Sequence, residues 1–239
     1  MRHGRPSLKP VFHTSAFALW LAFCVAGCSS SDEGASVVGI AQQQELREEV
    51  AAFTGRTAEE LLSDASALQL GERLFGAYCA SCHGTDAAGK QRVTNLVEGV
   101  FNYGNGIDAI RMTIAQGRQS FMPGVGNQYG EMNLGQLVAF VESLASDEPL
   151  GRLAEQGKLL YEESCAACHG MDGRGNVDLG GPNLADDYWL HGDTMMAIRL
   201  IITRGAEGEC PAHAQSLTVE EIELLTAFVT QLNTGPRAN

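Results

Sequence analysis

The sequence predicts an all-α protein built from two tandem small helical domains, and three observations carry that reading. A five-residue pattern, two cysteines spaced by two residues and followed at once by histidine, occurs twice in the 239-residue chain, at Cys79-Ala80-Ser81-Cys82-His83 and at Cys165-Ala166-Ala167-Cys168-His169. The residues leading into each copy repeat as well: Gly71-Glu72-Arg73-Leu74-Phe75 parallels Gly157-Lys158-Leu159-Leu160-Tyr161. Apolar residues elsewhere recur at helical spacing, with capping boxes at Thr57-Ala58-Glu59-Glu60 and Thr218-Val219-Glu220-Glu221.

The repeated pattern is a haem-attachment signature. Two intervening residues let both sulfurs reach the vinyl groups of one porphyrin, and the adjacent histidine then faces the iron as proximal ligand. The competing readings are a zinc site made by the four cysteines or a pair of dithiol switches. Histidine in the same place in both copies, and the repeated flanks, weigh against them. The sequence therefore predicts two covalently bound c-type haems, held by Cys79 and Cys82 and by Cys165 and Cys168, with His83 and His169 on the irons.

Residues 1–27 read as a lipoprotein signal peptide. Arg2, Arg5 and Lys9 precede an apolar run from Val11 to Ala26, which is short of the ~20 residues that span a bilayer comfortably. Val25-Ala26-Gly27-Cys28 resembles the lipobox of bacterial lipoproteins, so Cys28 is expected to be lipidated and the chain to sit on the periplasmic side of a bacterial envelope. Ser29 suggests the outer membrane. Removing residues 1–27 takes away three basic and no acidic side chains, moving the formal charge from −13 to −16. Such an acidic chain is a poor nucleic-acid binder and is suited to steering toward basic redox proteins.

Residues 28–66 read as a tether with a short helical segment, in which Leu46, Val50 and Phe53 share a face of a helix over residues 41–53. A first domain is expected over residues 67–146. Its helices are predicted from about Ala67 to Tyr78, from Ile107 to Gln116 and from Asn133 to Leu144. Charge and proline in the 147–152 linker end the last of these. A second domain is expected over residues 153–235, closing on a helix that turns Ile222, Leu225, Val229 and Leu232 inward. Hydrophobic content of 44% suits globular domains, and haem would supply much of each core's apolar bulk.

This order of helix, attachment motif, loop, helix, ligand loop and final helix resembles class I-like cytochrome c domains. The resemblance implies that first and last helices cross beside the haem, with Phe75 and Phe140 near the crossing. It implies a distal ligand after the third helix, for which Phe121-Met122-Pro123 is the source, Met122 lying in a loop before proline and not on a helical face. Gly181-Pro182-Asn183-Leu184 resembles the segment whose proline carbonyl holds the proximal histidine, where the first repeat has Thr94 before Asn95. Trp189 is expected at a haem edge, donating to a propionate or to another buried acceptor, and His191 is expected to hydrogen-bond at the surface. Gly71 to His83, Gly117 to Gly124 and Gly181 to Gly192 together are similar to the dihaem subunit III of cbb-type haem-copper oxidases. That resemblance implies electron transfer among redox protein partners, small cytochromes on one side and an oxidase on the other, with a carrier role in preference to a stand-alone enzyme.

Cys210 is left over among the seven cysteines. Ile110, Ile114, Gly117 and Met122-Pro123 have the same spacing as Ile198, Ile202, Gly205 and Cys210-Pro211, so cysteine stands where the first repeat has its methionine. The sequence reading pairs Cys210 with His169 as the ligands of the second haem. The competing readings are a free thiol at Cys210 beside a five-coordinate iron, ligation by His213, or capture by Met195 or Met196, the two methionines being expected to face their helix's core. Cysteine ligation would suit a second function class, a dihaem enzyme such as a thiosulfate-oxidising cytochrome.

Overall fold

The computed structural model describes residues 44–90, 92–146 and 148–234. The expected signal peptide, Cys28 and the first part of the expected tether lie outside the described residues. The described residues from Leu46 onward belong to one compact unit. After helical residues 44–50, the elements run α1 (Ala58–Leu61), α2 (Ala65–Tyr78), α3 (Ala80–His83), α4 (Ile107–Gln116), β1 (Arg118–Pro123), α5 (Glu131–Ser143), α6 (Arg152–Ser164), α7 (Ala166–His169), α8 (Met195–Arg204), β2 (Gly205–Cys210) and α9 (Val219–Thr234). The chain is mostly helical with one small sheet, as the motif order implies apart from the strands.

Local chemistry accounts for the helix starts. The Thr57 backbone N–H donates to Glu60 Oε2 at 3.1 Å, and Asp64 Oδ1 accepts from the backbone N–H groups of Ser66 and Ala67 at 3.0 and 3.2 Å, opening α2. The second capping box is complete: Thr218 N–H donates to Glu221 Oε2 at 2.7 Å, and Glu221 N–H donates to Thr218 Oγ1 at 3.2 Å.

The hydrophobic cores do not follow the two sequence repeats. One core gathers Leu46, Val50, Leu61, Leu70, Leu74, Phe75 and Ile110 with Leu217, Ile222, Leu224, Leu225 and Val229. The other gathers Leu134, Leu137, Val138, Phe140 and Val141 with Ala154, Tyr161, Ala166, Ile198 and Ile202. Helix α9, from the end of the chain, thus packs on α2 and α4 of the first repeat, while α5 packs on α6 and α8 of the second. The second core is a contiguous stretch that begins with its closing helix, set inside a first core interrupted after α4.

Two glycines permit the crossings. A Cβ on Gly71 would stand 2.6 Å from the Leu224 carbonyl oxygen and 2.8 Å from Phe228 Cβ; one on Gly157 would collide with the Gln136 carbonyl and Phe140 Cβ. The expected meeting of Phe75 with Phe140 is therefore corrected. Phe75 stacks tilted on Phe228 at 5.4 Å between ring centroids, and Phe140 on Tyr161 at 5.0 Å, because each crossing joins helices from different repeats.

Strands β1 and β2, absent from the sequence expectation, form an antiparallel ribbon between the two cores. Arg118 lies opposite Cys210, Met122 opposite Ala206 and Ser120 opposite Gly208. With the repeats aligned by Met122 on Cys210, Ser120 and Gly208 are counterparts, so the ribbon is centred on a local two-fold relation. Neither segment alternates apolar with polar residues as a half-buried strand does, which is why the sequence pattern is silent here.

The Arg111 guanidinium ties α9 to the first core. Its Nε donates to Glu223 Oε1 at 2.8 Å and its Nη2 to Glu59 Oε2 at 2.9 Å, while Glu223 Oε2 accepts from Ala58 N–H at 2.6 Å. The Glu223 side chain is 13% exposed, so Arg111→Met would strand a nearly buried carboxylate. We predict a loss of about 2–4 kcal/mol in urea unfolding, below the full range for breaking a buried pair because Arg111 is part-exposed. Lys158→Met, which removes an open surface pair with Glu162 at 3.9 Å, should cost less than about 0.5 kcal/mol.

Candidate haem-binding sites

Both attachment motifs are single helical turns joined end-on to a longer helix. Cys79 N–H donates to the Phe75 carbonyl at 2.8 Å, closing α2, and His83 N–H donates to the Cys79 carbonyl at 3.0 Å. The second copy reproduces this: Cys165 N–H to Tyr161 at 2.8 Å, His169 N–H to Cys165 at 3.0 Å. Cysteines three apart on one turn share a face. In each pair the first cysteine is half-buried and the second exposed, and all four thiols are free.

Burial pushes the Cys79 thiol up to about 12, with the charges of Cys210 and Cys82 adding to the rise, and pushes Cys165 up to about 11. A dithiol switch needs the opposite shift. The two pairs also belong to different cores, and among the described residues no group of three or more His, Cys, Asp or Glu side chains could hold a metal ion. The separation of the two pairs between cores and the raised thiol pKa values favour neither the zinc nor the dithiol reading.

The histidines are held alike. His83 Nδ1 lies 3.1 Å from the Thr94 carbonyl oxygen and His169 Nδ1 lies 3.0 Å from that of Pro182. A carbonyl only accepts, so Nδ1 carries the proton in both rings and Nε2 keeps its lone pair. Burial lowers both imidazole pKa values, favouring the neutral form that ligates iron. Thr94 replaces proline without loss, because the acceptor is backbone. A half-buried cysteine, an exposed cysteine and a backbone-oriented histidine on one turn fit a covalently attached c-type haem at both places.

One contact joins the sites and has no sequence signal. Thr94 C=O and Asn95 N–H are the two ends of one peptide group; the carbonyl accepts from His83, and the N–H donates to Tyr188 Oη at 3.1 Å. Tyr188 comes from the second repeat, where Asp186 Oδ1 accepts from its N–H at 3.0 Å. Val100 occupies the matching place in the first repeat, so the arrangement is one-sided.

Trp189 packs against the second core and its indole N–H donates to the Asp186 carbonyl at 3.1 Å, the buried-acceptor alternative. His191 is half-buried, and its pKa is lowered by burial and by Arg92. Met122 packs against the second core, the one that holds Cys165. Cys210 lies against the turn that ends α4, where a Cβ on Gly117 would meet its carbonyl oxygen at 2.5 Å, and its thiol pKa is raised by burial and then by Cys82. The loop after Cys210 is bonded to the end of α4 in the first repeat, whereas His169, its expected partner, follows Cys165 in the second. Met195 and Met196 are 55% and 73% exposed and do not face the core, because Ile198 and Ile202 occupy the inner side of α8. His213 is bonded through its N–H to the Ile114 carbonyl at the end of α4, also on the first repeat's side.

Two C-x-x-C-H turns, each with a histidine anchored to a backbone carbonyl, fit a dihaem c-type cytochrome. The chain belongs to the family described as cytochrome c oxidase, cbb3-type, subunit III, which it matches over residues 66–141 and 152–229, and its cofactors are two c-type haems. It is 37% identical over 187 residues to the cbb3-type cytochrome c oxidase subunit CcoP of Rubrivivax gelatinosus, covering 77% of this chain and 60% of that one. It is 35% identical over 178 residues to subunit FixP of Sinorhizobium medicae, covering 71% and 62%, and 33% identical over 208 residues to subunit FixPc of Rhizobium leguminosarum bv. viciae, covering 82% and 71%. The chain thus spans about 60% of the length of the first of these relatives. Among the described residues no helix is long and apolar enough to cross a membrane.

The shared peptide generates a test. A hydrogen bond to Asn95 N–H polarises Thr94 C=O, strengthens its pull on the His83 proton and makes that imidazole a better donor to ferric iron. Tyr188→Phe should raise the potential of the His83 haem by roughly 20 mV, the one-electron equivalent of about 0.5 kcal/mol, and leave the His169 haem unmoved. Haem-resolved redox titration reads both.

Proposed function

We propose that the chain transfers electrons through two haems in the bacterial cell envelope, as an electron-intake subunit of a haem-copper oxidase that draws on small cytochromes. The observation that carries this reading is the hydrogen bond between Asn95 and Tyr188, which sets the loop holding one proximal histidine against the other repeat. Two redox centres whose flanking loops touch within one compact unit make a relay. The named relatives, subunits of cbb3-type oxidases, support the same partner. The formal charge of −13 favours steering toward basic partners.

In this reading Cys79 and Cys82 hold one haem and Cys165 and Cys168 the other, His83 and His169 ligate the irons, and Met122 and Cys210 stand on the distal sides. Bound haem supplies one-electron exchange. The protein's part is to orient each histidine through a carbonyl, to keep Nε2 unprotonated and to exclude water from the apolar side of each site. Cys28 is proposed to carry lipid that keeps the relay at the membrane, on the periplasmic side. A lipid chain alone attaches reversibly, so the protein partner would supply the lasting position.

A dihaem sulfur-oxidising enzyme is the second reading, favoured by a cysteine, Cys210, at the place where the first repeat has Met122. Stopped-flow mixing separates the two. The relay exchanges electrons rapidly with a basic small cytochrome, at a rate that falls as salt rises; catalytic reduction by thiosulfate with slow cytochrome exchange would favour the enzyme.

Two further outcomes are expected. A pyridine haemochrome assay should return two haems per chain and one for the Cys165→Ala/Cys168→Ala protein, and neither haem should be extracted by acidified organic solvent. Labelled fatty acid should mark the wild type and leave Cys28→Ala unlabelled.

A further inference from the structure

We infer that the two repeats exchange their distal sides: Met122, from the first repeat, faces the haem held by Cys165, Cys168 and His169, while Cys210, from the second, faces the haem held by Cys79, Cys82 and His83. This rests on the two-haem reading and assigns what that reading leaves open, the composition of each pocket.

The backbone around the ribbon carries the inference. Val125 N–H donates to the Ile202 carbonyl at 2.9 Å, stitching the loop after Met122 onto the end of α8, and Val125 packs with the second core. His213 N–H donates to the Ile114 carbonyl at 3.1 Å and Ala214 N–H to Ala115 at 3.0 Å, stitching the loop after Cys210 onto the end of α4. With the repeats aligned, Val125 and His213 are counterparts, as are Ile202 and Ile114, so one hydrogen bond occurs twice and crosses between repeats both times.

The turns that end α4 and α8 show the same crossing. Gly117 has φ +70°, and a Cβ there would meet the Cys210 carbonyl at 2.5 Å and Ala212 N at 2.6 Å. Gly205 has φ +78°, and a Cβ there would collide with the Met122 carbonyl and meet Gly124 N at 2.7 Å. Each glycine ends the helix of one repeat and admits the ligand loop of the other. A loop folded back on its own repeat would leave these contacts unmade. The helices that follow agree, since α5 packs on α6 and α9 packs on α2.

The pockets therefore differ in a sense opposite to the one that repeat order suggests. The second attachment site receives a thioether, which favours reduced iron, and the first faces the thiol of Cys210. A low-potential, thiol-facing haem would lie on the amino-terminal side of the chain, and Tyr188 would act on that same haem.

Nuclear magnetic resonance of the reduced, isotope-labelled holoprotein tests the exchange. The first readout is the number of haems with thioether bridges; fewer than two would overturn the two-haem reading itself. A methionine bound to low-spin ferrous haem shows its ε-methyl far upfield. The exchange predicts that the Met122 methyl is so shifted and gives nuclear Overhauser contacts to the haem bridged to Cys165 and Cys168. Contacts to the haem of Cys79 and Cys82, or no upfield Met122 methyl, overturn it. In Cys210→Met a second upfield methyl should appear on the haem of Cys79 and Cys82; its appearance on the other haem, or its absence from a folded variant, overturns the Cys210 half. Should that variant fail to fold, the wild-type Met122 contact decides alone.

Discussion

The close approach of helices at Gly71 and Gly157 is the constraint on which the rest of the structure depends. At each position the neighbouring helix presents a carbonyl and the Cβ of a phenylalanine where a side chain would stand, so the axes meet nearer than any larger residue allows. Which helices meet there decides everything downstream. Because α2 meets α9 and α6 meets α5, the final helix of one repeat closes the core of the other, and the ribbon of β1 and β2 becomes the double crossing between them. The short 147–152 linker favours this. It joins α5 to α6 as neighbours in a local hairpin, so the second core assembles from adjacent chain and the first is completed only when α9 returns.

On this frame the chemistry of the two sites is made alike at the proximal side and unlike at the distal side. A backbone carbonyl orients each histidine, the residue that bears it being free to vary, as Thr94 and Pro182 show. The difference lies in what surrounds that hydrogen bond. The Thr94 peptide is gripped at both ends, by His83 and by Tyr188, whereas the matching position of Tyr188 in the first repeat is Val100. A side chain of the second repeat is thus set against the peptide that orients His83, and the loops after Met122 and Cys210 cross between the repeats in the same way. Two units that share helices, loops and a peptide cannot be treated as beads on a string.

The helices and the turns of the two C-x-x-C-H motifs are legible in the sequence because both are written in local pattern. Ile107–Gln116 forms a helix with its expected bounds, the two capping boxes are made, and each C-x-x-C-H forms the turn its spacing implies. What escaped it was partner choice. Apolar faces on α5 and α9 signal that each helix is buried and say nothing about which helix buries it, so the pattern sets Phe140 beside Phe75 where the structure sets it beside Tyr161. The repeated Gly at 71 and 157 marks close approach without naming the visitor. The ribbon strands have no alternating pattern, and Tyr188 acts through a hydroxyl and a backbone N–H with no motif between them. Long-range pairing between equivalent elements is the information that internal repeats degrade most, since either copy satisfies the same local rules.

The exchanged architecture is tested most directly by removing α9. A chain ending at Leu217 lacks the last helix of the second sequence repeat, yet in this structure it loses a wall of the first core only. We expect the haem on Cys165 and Cys168 to keep its Met122-ligated spectrum and its potential, while the haem on Cys79 and Cys82 loses its native spectrum. Loss of the native spectrum at Cys165 and Cys168, with the other haem unaffected, would show that each repeat closes on itself and would contradict the exchange.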